Sequence, residues 1–144
     1  METLSLDVAN RIVVEALASA RRNGFRPMAL VVLDEAGLIK LTSREDGATA
    51  LRINIAHGKA AAAFGLGVSS RTLLERAKDN PVFFGAIGAA SEGKFVPQTG
   101  AILITSRSGA VLGAIGASGG TGDEDEQICI EGVRAAALYI AGEP

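Results

Sequence analysis

The sequence is poor in the residues that most often carry metal, redox and stacking chemistry. Among its 144 residues it has no tryptophan, one tyrosine, one cysteine (Cys129) and one histidine (His57). A single cysteine excludes an intramolecular disulfide and the cysteine-rich kind of zinc site, because both need more than one thiol group. A single histidine limits metal coordination further.

The chain also lacks long apolar runs and concentrated positive charge. No apolar stretch approaches the roughly 20 residues that cross a bilayer as a helix. The formal net charge is −2, from 14 basic and 16 acidic side chains, whereas nucleic-acid affinity depends on clustered lysine and arginine. The acidic segment 1–7 has no basic region followed by an apolar one. We therefore expect a cytoplasmic protein that binds neither membranes nor nucleic acid.

Small residues dominate the remainder of the chain. Glycine accounts for 18 residues, and the sequence is 48% hydrophobic and 21% charged. This balance supports a packed core, and the length indicates a single domain over residues 1–144. Close packing of helices on a sheet explains the small side chains, and surfaces that admit a large flat ligand explain them as well.

Hydrophobic periodicity and turn residues predict the element order α-ββ-ααα-ββ-α. The predicted helices cover about 5–22, 49–64, 69–79, 81–90 and 123–141, and the predicted strands about 28–33, 38–42, 101–105 and 110–117. The strands form two hairpins rather than βαβ crossovers, which indicates an antiparallel sheet covered by helices. The sequence therefore predicts one α+β domain.

A glycine-rich segment, residues 113–122, lies between the last long predicted strand and the last helix. Backbone N–H groups at such a place can bind an anion, but the segment matches neither the dinucleotide fingerprint nor the phosphate loop. Four carboxylates follow it at 123–126, where they satisfy the positive end of the helix and repel phosphate. A capping box of Asp123 and Glu126 is the interpretation without a ligand.

Uncharged backbone contacts to a ligand are the alternative for this segment. The candidate contacts are Gly116, Ser118 and Gly119. Ser118 is not in a G-x-S-x-G elbow, and Cys129, which stands between two isoleucines, is interpreted as a small buried hydrophobe.

The second predicted helix carries two candidate faces. His57 falls on an apolar stripe with Ile53, Ala60 and Phe64, so we expect its imidazole to lie away from bulk water. There it serves as a hydrogen-bonded structural residue, as an axial haem ligand or as a general base.

Arg52 and Lys59 lie seven residues apart on a different face of the same helix. With Glu45 and Asp46 to orient them, the two cations suit a carboxylate-bearing ligand. A solvated face with ordinary ion pairs is the alternative.

Four segments follow one another along the chain: Asp46-Gly47, residues 59–62, residues 113–120 and the acidic residues 123–126. Their succession resembles the GlcG/HbpS-like haem-binding family, which includes the C-terminal domain of PduO-type cobalamin adenosyltransferases. The most specific part is 115–120 followed by acidic residues. The resemblance implies a profilin-like three-layer α/β/α fold with a five-stranded antiparallel sheet, homo-oligomers and, in some members, haem binding or haem degradation.

The chain departs from this family at two places. Relatives carry a Gly-Gly-Val-Pro-like segment before the third strand, whereas this chain has Pro-Gln-Thr-Gly at residues 97–100. If this loop lines the ligand pocket, Gln98 and Thr99 bring polar groups that the usual motif lacks. Secreted haem-sensing members carry export signals, and the absence of one here argues against a sensor outside the cell.

Two hypotheses involve a ligand. The first is a cytoplasmic small-ligand-binding protein, accessory to a catabolic pathway, which binds haem with His57 as axial ligand, Phe64 as packing partner and Arg52 or Lys59 at the propionates.

The second hypothesis is a cofactor-independent isomerase, hydrolase or lyase. It acts on a small carboxylated catabolic intermediate by general acid–base catalysis, with Asp46, Lys59 and Ser118 as the catalytic residues. Gln98 and residues from the acidic helix start also line its pocket.

A third hypothesis is a scaffold without a ligand, in which alanine- and glycine-rich faces of the second and last helices pack against other subunits. A homo-oligomer is expected under all three hypotheses. Both ligand hypotheses require that the turn at 116–122 border a hollow that the helix carrying His57 and Lys59 also faces.

Overall fold

The computed structural model describes residues 2–141. Its helices are α1 (Leu6–Arg22), α2 (Ala50–Leu66), α3 (Ser70–Asp79), α4 (Pro81–Ala90) and α5 (Gly122–Ala135). Its strands are β1 (Ala29–Leu33), β2 (Ile39–Arg44), β3 (Ala101–Thr105), β4 (Val111–Ser118) and β5 (Tyr139–Ile140). None of the helices in this described part is long and apolar enough to cross a bilayer.

The predicted last helix is too long, because the chain turns into a strand before residue 141. Helix α5 ends at Ala135, and Ala137 takes the left-handed conformation with φ +60°. The N–H of Leu138 then donates to the carbonyl of Val133 at 3.1 Å, which closes the helix end. Ile140 pairs with β3, so sheet pairing prevails over the helical propensity of an alanine-rich segment.

The five strands form one antiparallel sheet in the order β2-β1-β4-β3-β5. Alternate residues of β1 point to opposite faces: Leu30 and Val32 join the core with α1 and α5, whereas Val31 and Leu33 join the core with α2. The predicted α+β fold with a five-stranded antiparallel sheet and helices on both faces is confirmed.

Helix α2 approaches the sheet closely through small residues. Ala56 and Ala60 are fully buried, and a Cβ at Gly116 of β4 would lie 2.3 Å from the carbonyl oxygen of Ala56. Gly132 of α5 meets α1 in the same way, since its Cβ would lie 2.5 Å from the carbonyl oxygen of Ile12. The small residues therefore serve packing within the chain, and these faces are not free for other subunits as the scaffold hypothesis expected.

Candidate functional site

A buried ion pair joins α2 to the first turns of α5. Lys59 Nζ lies 2.9 Å from Asp125 Oδ2 and 3.1 Å from the carbonyl oxygen of Ala117, to which it donates. The side chains of the pair are 6% and 2% exposed. Asp125 Oδ1 accepts the backbone N–H of Gly120 at 2.9 Å. Both carboxylate oxygens and two of the ammonium hydrogens thus have partners among the described residues.

The glycine before β3 makes room for this pair. Gly100 has φ +136°, and a Cβ there would lie 2.7 Å from Lys59 Nζ and 3.0 Å from Asp125 Cβ. A larger residue would displace the ammonium from the carboxylate, so the glycine is required by the neighbouring charge as well as by its own backbone conformation.

Two acidic groups at this end of α5 have raised pKa values. Burial raises the pKa of the Asp125 carboxyl, although Lys59 and the Gly120 N–H oppose the shift. Burial also raises the pKa of the fully buried Cys129 thiol strongly. The thiol therefore stays protonated and is not a nucleophile, and its prediction as a small buried hydrophobe is confirmed.

A cavity of about 440 Å³ opens beside the ion pair, a size typical of small-molecule sites. We call it the Lys59 pocket. Arg52 Nη1 donates to Ser118 Oγ at 3.2 Å along one wall. Residues from α2, α3, the 98–99 loop and the 118–125 segment line it: Arg52, Ile55, Lys59, Leu74, Gln98, Thr99, Ser118, Gly120, Thr121, Gly122, Asp123 and Asp125.

Carboxylates of α5 accept hydrogen bonds from backbone N–H groups at the start of that helix. Thr121 N–H donates to Glu124 Oε1 at 2.9 Å, and Glu124 N–H donates to Thr121 Oγ1 at 3.2 Å, which forms a capping box. The predicted capping box of Asp123 and Glu126 is wrong, because the N-cap of α5 is Thr121, two residues before Asp123. Those two carboxylates instead pair with Arg71 of α3. The arrangement disfavours phosphate at this loop.

The structure brings five of the sequence-derived ligand candidates into the Lys59 pocket: Arg52, Lys59, Gln98, Thr99 and Ser118. Gly116 and Gly119 do not line it. Gly116 packs on α2, as described above, and a Cβ at Gly119 would lie 2.3 Å from the carbonyl oxygen of Pro27. Close backbone packing therefore explains these two glycines.

His57 lies over a separate cavity of about 280 Å³, lined also by Asn54, Gly58, Glu92, Gly93 and Lys94. Two residues along a helix correspond to about 200° of rotation, so His57 and Lys59 point in nearly opposite directions. Helix α2 therefore faces the Lys59 pocket, as the ligand hypotheses require, but His57 does not line that pocket. Burial and, to a smaller extent, the charge of Lys94 lower the pKa of the imidazole.

Phe64 also lies away from the Lys59 pocket. It packs against the β1–β2 turn, where a Cβ at Gly37 would lie 2.8 Å from Phe64 Cε2. The bulk of its ring therefore fills space under the turn.

Asp46 is exposed and lines another cavity, of about 450 Å³, with Arg21, Pro27, Arg44 and Glu45. Glu45 pairs with Arg21 at 3.1 Å, so it does not orient Arg52 and Lys59 as expected. The carboxylate that meets Lys59 is that of Asp125.

Asp125 was named in the sequence only as part of the acidic helix start. One signal could have singled it out: it lies three and four residues before Ile128 and Cys129, on the face of α5 that is buried. Within residues 2–141, no group of three or more histidine, cysteine, aspartate and glutamate side chains is arranged to hold a metal ion.

Comparison with known proteins gives both a family match and fold neighbours. Residues 4–134 match the family described as haem degrading protein HbpS-like, and no curated protein matches the chain. A double mutant of HbpS from Streptomyces reticuli is 26% identical, with 93% of this chain and 87% of that chain covered and a TM-score of 0.79.

Two further solved structures share the fold at lower identity. A complex of PduOC with haem is 22% identical, with 96% of this chain and 98% of that chain covered and a TM-score of 0.85. The Klebsiella pneumoniae protein ORFY is 20% identical, with 95% and 92% covered and a TM-score of 0.86.

Proposed function

Since the chain belongs to the HbpS-like family, we propose that it binds a small ligand at the Lys59 pocket and that this ligand is haem. The observation that carries the proposal is the placement of Arg52 and Lys59 on one cavity of about 440 Å³. Haem presents propionates, which cations bind, and an apolar ring, for which Ile55 and Leu74 supply contacts. The PduOC–haem complex, which has the same fold, supports this choice of ligand.

His57 is the axial candidate, and it is a separate part of the proposal. Its lowered pKa favours the neutral imidazole at pH 7, which is the form that binds iron. Its cavity is small and its other lining side chains, Asn54, Glu92 and Lys94, are polar, so it offers little apolar surface to a haem ring. A haem whose propionates contact Arg52 and Lys59 does not meet His57 of the same chain, because the two faces of α2 are opposed.

Titration of the purified protein with hemin tests the proposal. We expect a saturable shift of the Soret band, and we expect Arg52→Ala to weaken binding about tenfold through the loss of a charge-assisted hydrogen bond. Arg11→Ala, which removes an exposed arginine from α1, is the matched control. A flat titration of the wild-type protein would overturn the assignment of haem.

The spectrum of the His57→Ala variant tests the axial role independently. If His57 ligates the iron, the variant changes the position of the Soret band even at saturating hemin. An unchanged band at saturation removes His57 from the iron and leaves the Lys59 pocket as the haem site.

We further propose a cytoplasmic location and an accessory role in the catabolism of a small molecule. The family resemblance supports the accessory role. The genes beside this one test the role. Catabolic genes would support it and name a substrate class, whereas haem-uptake genes would contradict it.

A cofactor-independent enzyme is the second candidate, and the buried Lys59–Asp125 pair favours it. The pair combines an ammonium that stabilises anionic charge with a carboxyl whose raised pKa suits proton transfer, and Arg52 lies close enough to bind a substrate carboxylate. Ser118 lines the same pocket as a further candidate. Asp46 lies outside it and has no role in this form of the proposal.

The enzymatic candidate needs variants that keep the ion pair intact, because removing Lys59 alone leaves a buried charge without a partner. Arg52→Gln and Ser118→Ala meet this need. On an identified carboxylate substrate, we expect Arg52→Gln to raise KM and Ser118→Ala to lower kcat. Unchanged kinetics in both variants would contradict the enzymatic candidate.

A further inference from the structure

One hydroxyl of the Lys59 pocket has no protein partner among residues 2–141. Thr99 is 7% exposed and makes no side-chain hydrogen bond there. No fully enclosed polar side-chain atom of the described residues lacks a partner, so the Thr99 oxygen reaches the space of the cavity. This hydroxyl, on a residue that is nine-tenths buried, is therefore free to bond to an occupant of the pocket.

Two other polar side chains of the pocket, Ser118 and Lys59, have donors that no protein group among the described residues accepts. Ser118 Oγ accepts from Arg52, and the described residues supply no acceptor for its own O–H. Lys59 uses two of its three N–H groups, on Ala117 and Asp125. The oxygens of Asp125 already accept from Lys59 and Gly120. The unused donors of Ser118 and Lys59, together with the Arg52 guanidinium, suit an oxygen-rich anion.

The charge around the pocket limits the charge of that anion. Arg52 and Lys59 are balanced by Asp123 and Asp125, although Asp123 is shared with Arg71 outside the pocket. Any anion in the pocket meets the same two carboxylates, and their repulsion is about twice as large for a dianionic phosphate as for a monoanion. A carboxylate is therefore the better match.

We propose that the Lys59 pocket recognises small carboxylates that carry a hydroxyl or an oxo group on the carbon next to the carboxylate. The carboxylate contacts Arg52 and Lys59, and the second oxygen contacts the Thr99 hydroxyl. Thr99 therefore determines specificity, and it selects 2-hydroxy and 2-oxo acids over plain carboxylates. The inference rests on the Lys59 pocket as the ligand site, but it does not depend on haem as the occupant.

Three three-carbon acids differ only in the substituent on the carbon next to the carboxylate. Propionate has no oxygen there, lactate has a hydroxyl and pyruvate has an oxo group. Calorimetric titration of the whole protein should give about tenfold tighter binding of lactate and pyruvate than of propionate, the value of one hydrogen bond in a desolvated site. Thr99→Val should abolish this preference, and Thr99→Ser should retain it. Thr42→Val, on the exposed face of β2, is the matched control.

Each outcome separates the inference from the site on which it rests. If Arg52→Ala weakens all three acids while Thr99→Val weakens only lactate and pyruvate, the inference holds. If the acids bind but Thr99→Val keeps the preference, Thr99 has no role and the pocket remains the ligand site. Failure of all three acids to bind, or tighter binding of inorganic phosphate than of lactate, overturns the carboxylate class, and the hemin titration then decides the haem proposal alone.

Discussion

Lys59 and Asp125 line the candidate site, and their buried ion pair also contributes to the stability of the fold. Removing one member of a fully buried ion pair leaves the other charge desolvated and without compensation. We expect Lys59→Met to lower the free energy of unfolding by about 3–5 kcal/mol, measured by urea denaturation.

The double variant Lys59→Met/Asp125→Leu is the control for this prediction. It removes both charges, so it should lose less stability than the single variant, and Lys40→Met on the partly exposed β2 should lose under about 1 kcal/mol. A single variant as stable as the wild type would show that the pair is not desolvated.

His57 provides a direct measurement of the second cavity, because it is the one histidine of the sequence and gives an unambiguous NMR signal. Burial and Lys94 lower its pKa, so its titration midpoint should fall below 6.5. Lys94→Gln should move the midpoint upward, whereas Lys40→Gln on the edge strand β2 should leave it unchanged. A midpoint at or above 6.5 would contradict the burial of the ring.

The same shift fixes the sign of a pH effect on stability. Because the folded-state pKa lies below the unfolded value of 6.5, the unfolded chain binds more protons in the interval between them. The contribution of His57 to the free energy of unfolding is therefore fully present above pH 6.5. It is lost as the pH falls through the pKa of His57 in the folded state. The wild type should lose more stability than His57→Gln across that interval in urea titrations at several pH values.

At the scale of elements, the contact between α2 and β4 depends on one position without a side chain. Gly116→Ala would place a Cβ 2.3 Å from the carbonyl oxygen of Ala56, so the helix must move off the sheet. We expect the free energy of unfolding to fall by about 1–3 kcal/mol, the usual cost of overpacking.

Gly65→Ala is the matched control for this packing. Gly65 lies in α2 as well, but a Cβ there meets nothing within 4 Å. Alanine should stabilise the helix by about 0.5–1 kcal/mol. Equal effects of the two variants in thermal or urea unfolding would show that α2 does not approach β4 so closely.

Helices whose limits depend on local chemistry were predicted well from the sequence. Ser5, Ser69 and Asn80 cap α1, α3 and α4 through their side chains, and Pro81 begins α4 where its missing N–H costs no hydrogen bond. The end of α5 was not predicted, because it depends on pairing with β3, which is more than thirty residues distant in sequence.

At the scale of the whole molecule, α4 presents an exposed apolar surface. The helix carries no charged residue, and Phe84 is its one buried side chain. Val82 is 84% exposed and Phe83 is 53% exposed. We expect this exposed apolar surface to be an interaction site, and the family resemblance, which implies homo-oligomers, makes another copy of this chain the expected partner.

We therefore expect the protein to form an oligomer that depends on α4. Phe83→Glu should reduce the molar mass measured by light scattering after size exclusion, because it places a charge in an apolar contact. Val14→Glu, which changes a 63% exposed position on α1, should leave the mass unchanged. A monomeric wild type, or an unchanged mass in Phe83→Glu, would contradict this role of α4.

The sequence by itself determined the α+β class, the number of long strands, most helix limits and one face of the site. Periodicity, caps and turn residues act over a few positions, so they can be read along the chain. For the same reason, the seven-residue spacing of Arg52 and Lys59 correctly placed both on one face of α2.

The tertiary structure alone decided which carboxylate meets Lys59, which glycines serve packing and where His57 and Asp46 lie. Each of these depends on the approach of segments far apart in sequence. Asp125 is 66 residues from Lys59, and Gly116 of β4 packs against Ala56 of α2. The local pattern contains four neighbouring carboxylates and 18 glycines with little to distinguish them. Only the packing of α2, β4 and α5 against one another places the buried Lys59 beside Asp125 and the backbone of Ala56 beside Gly116.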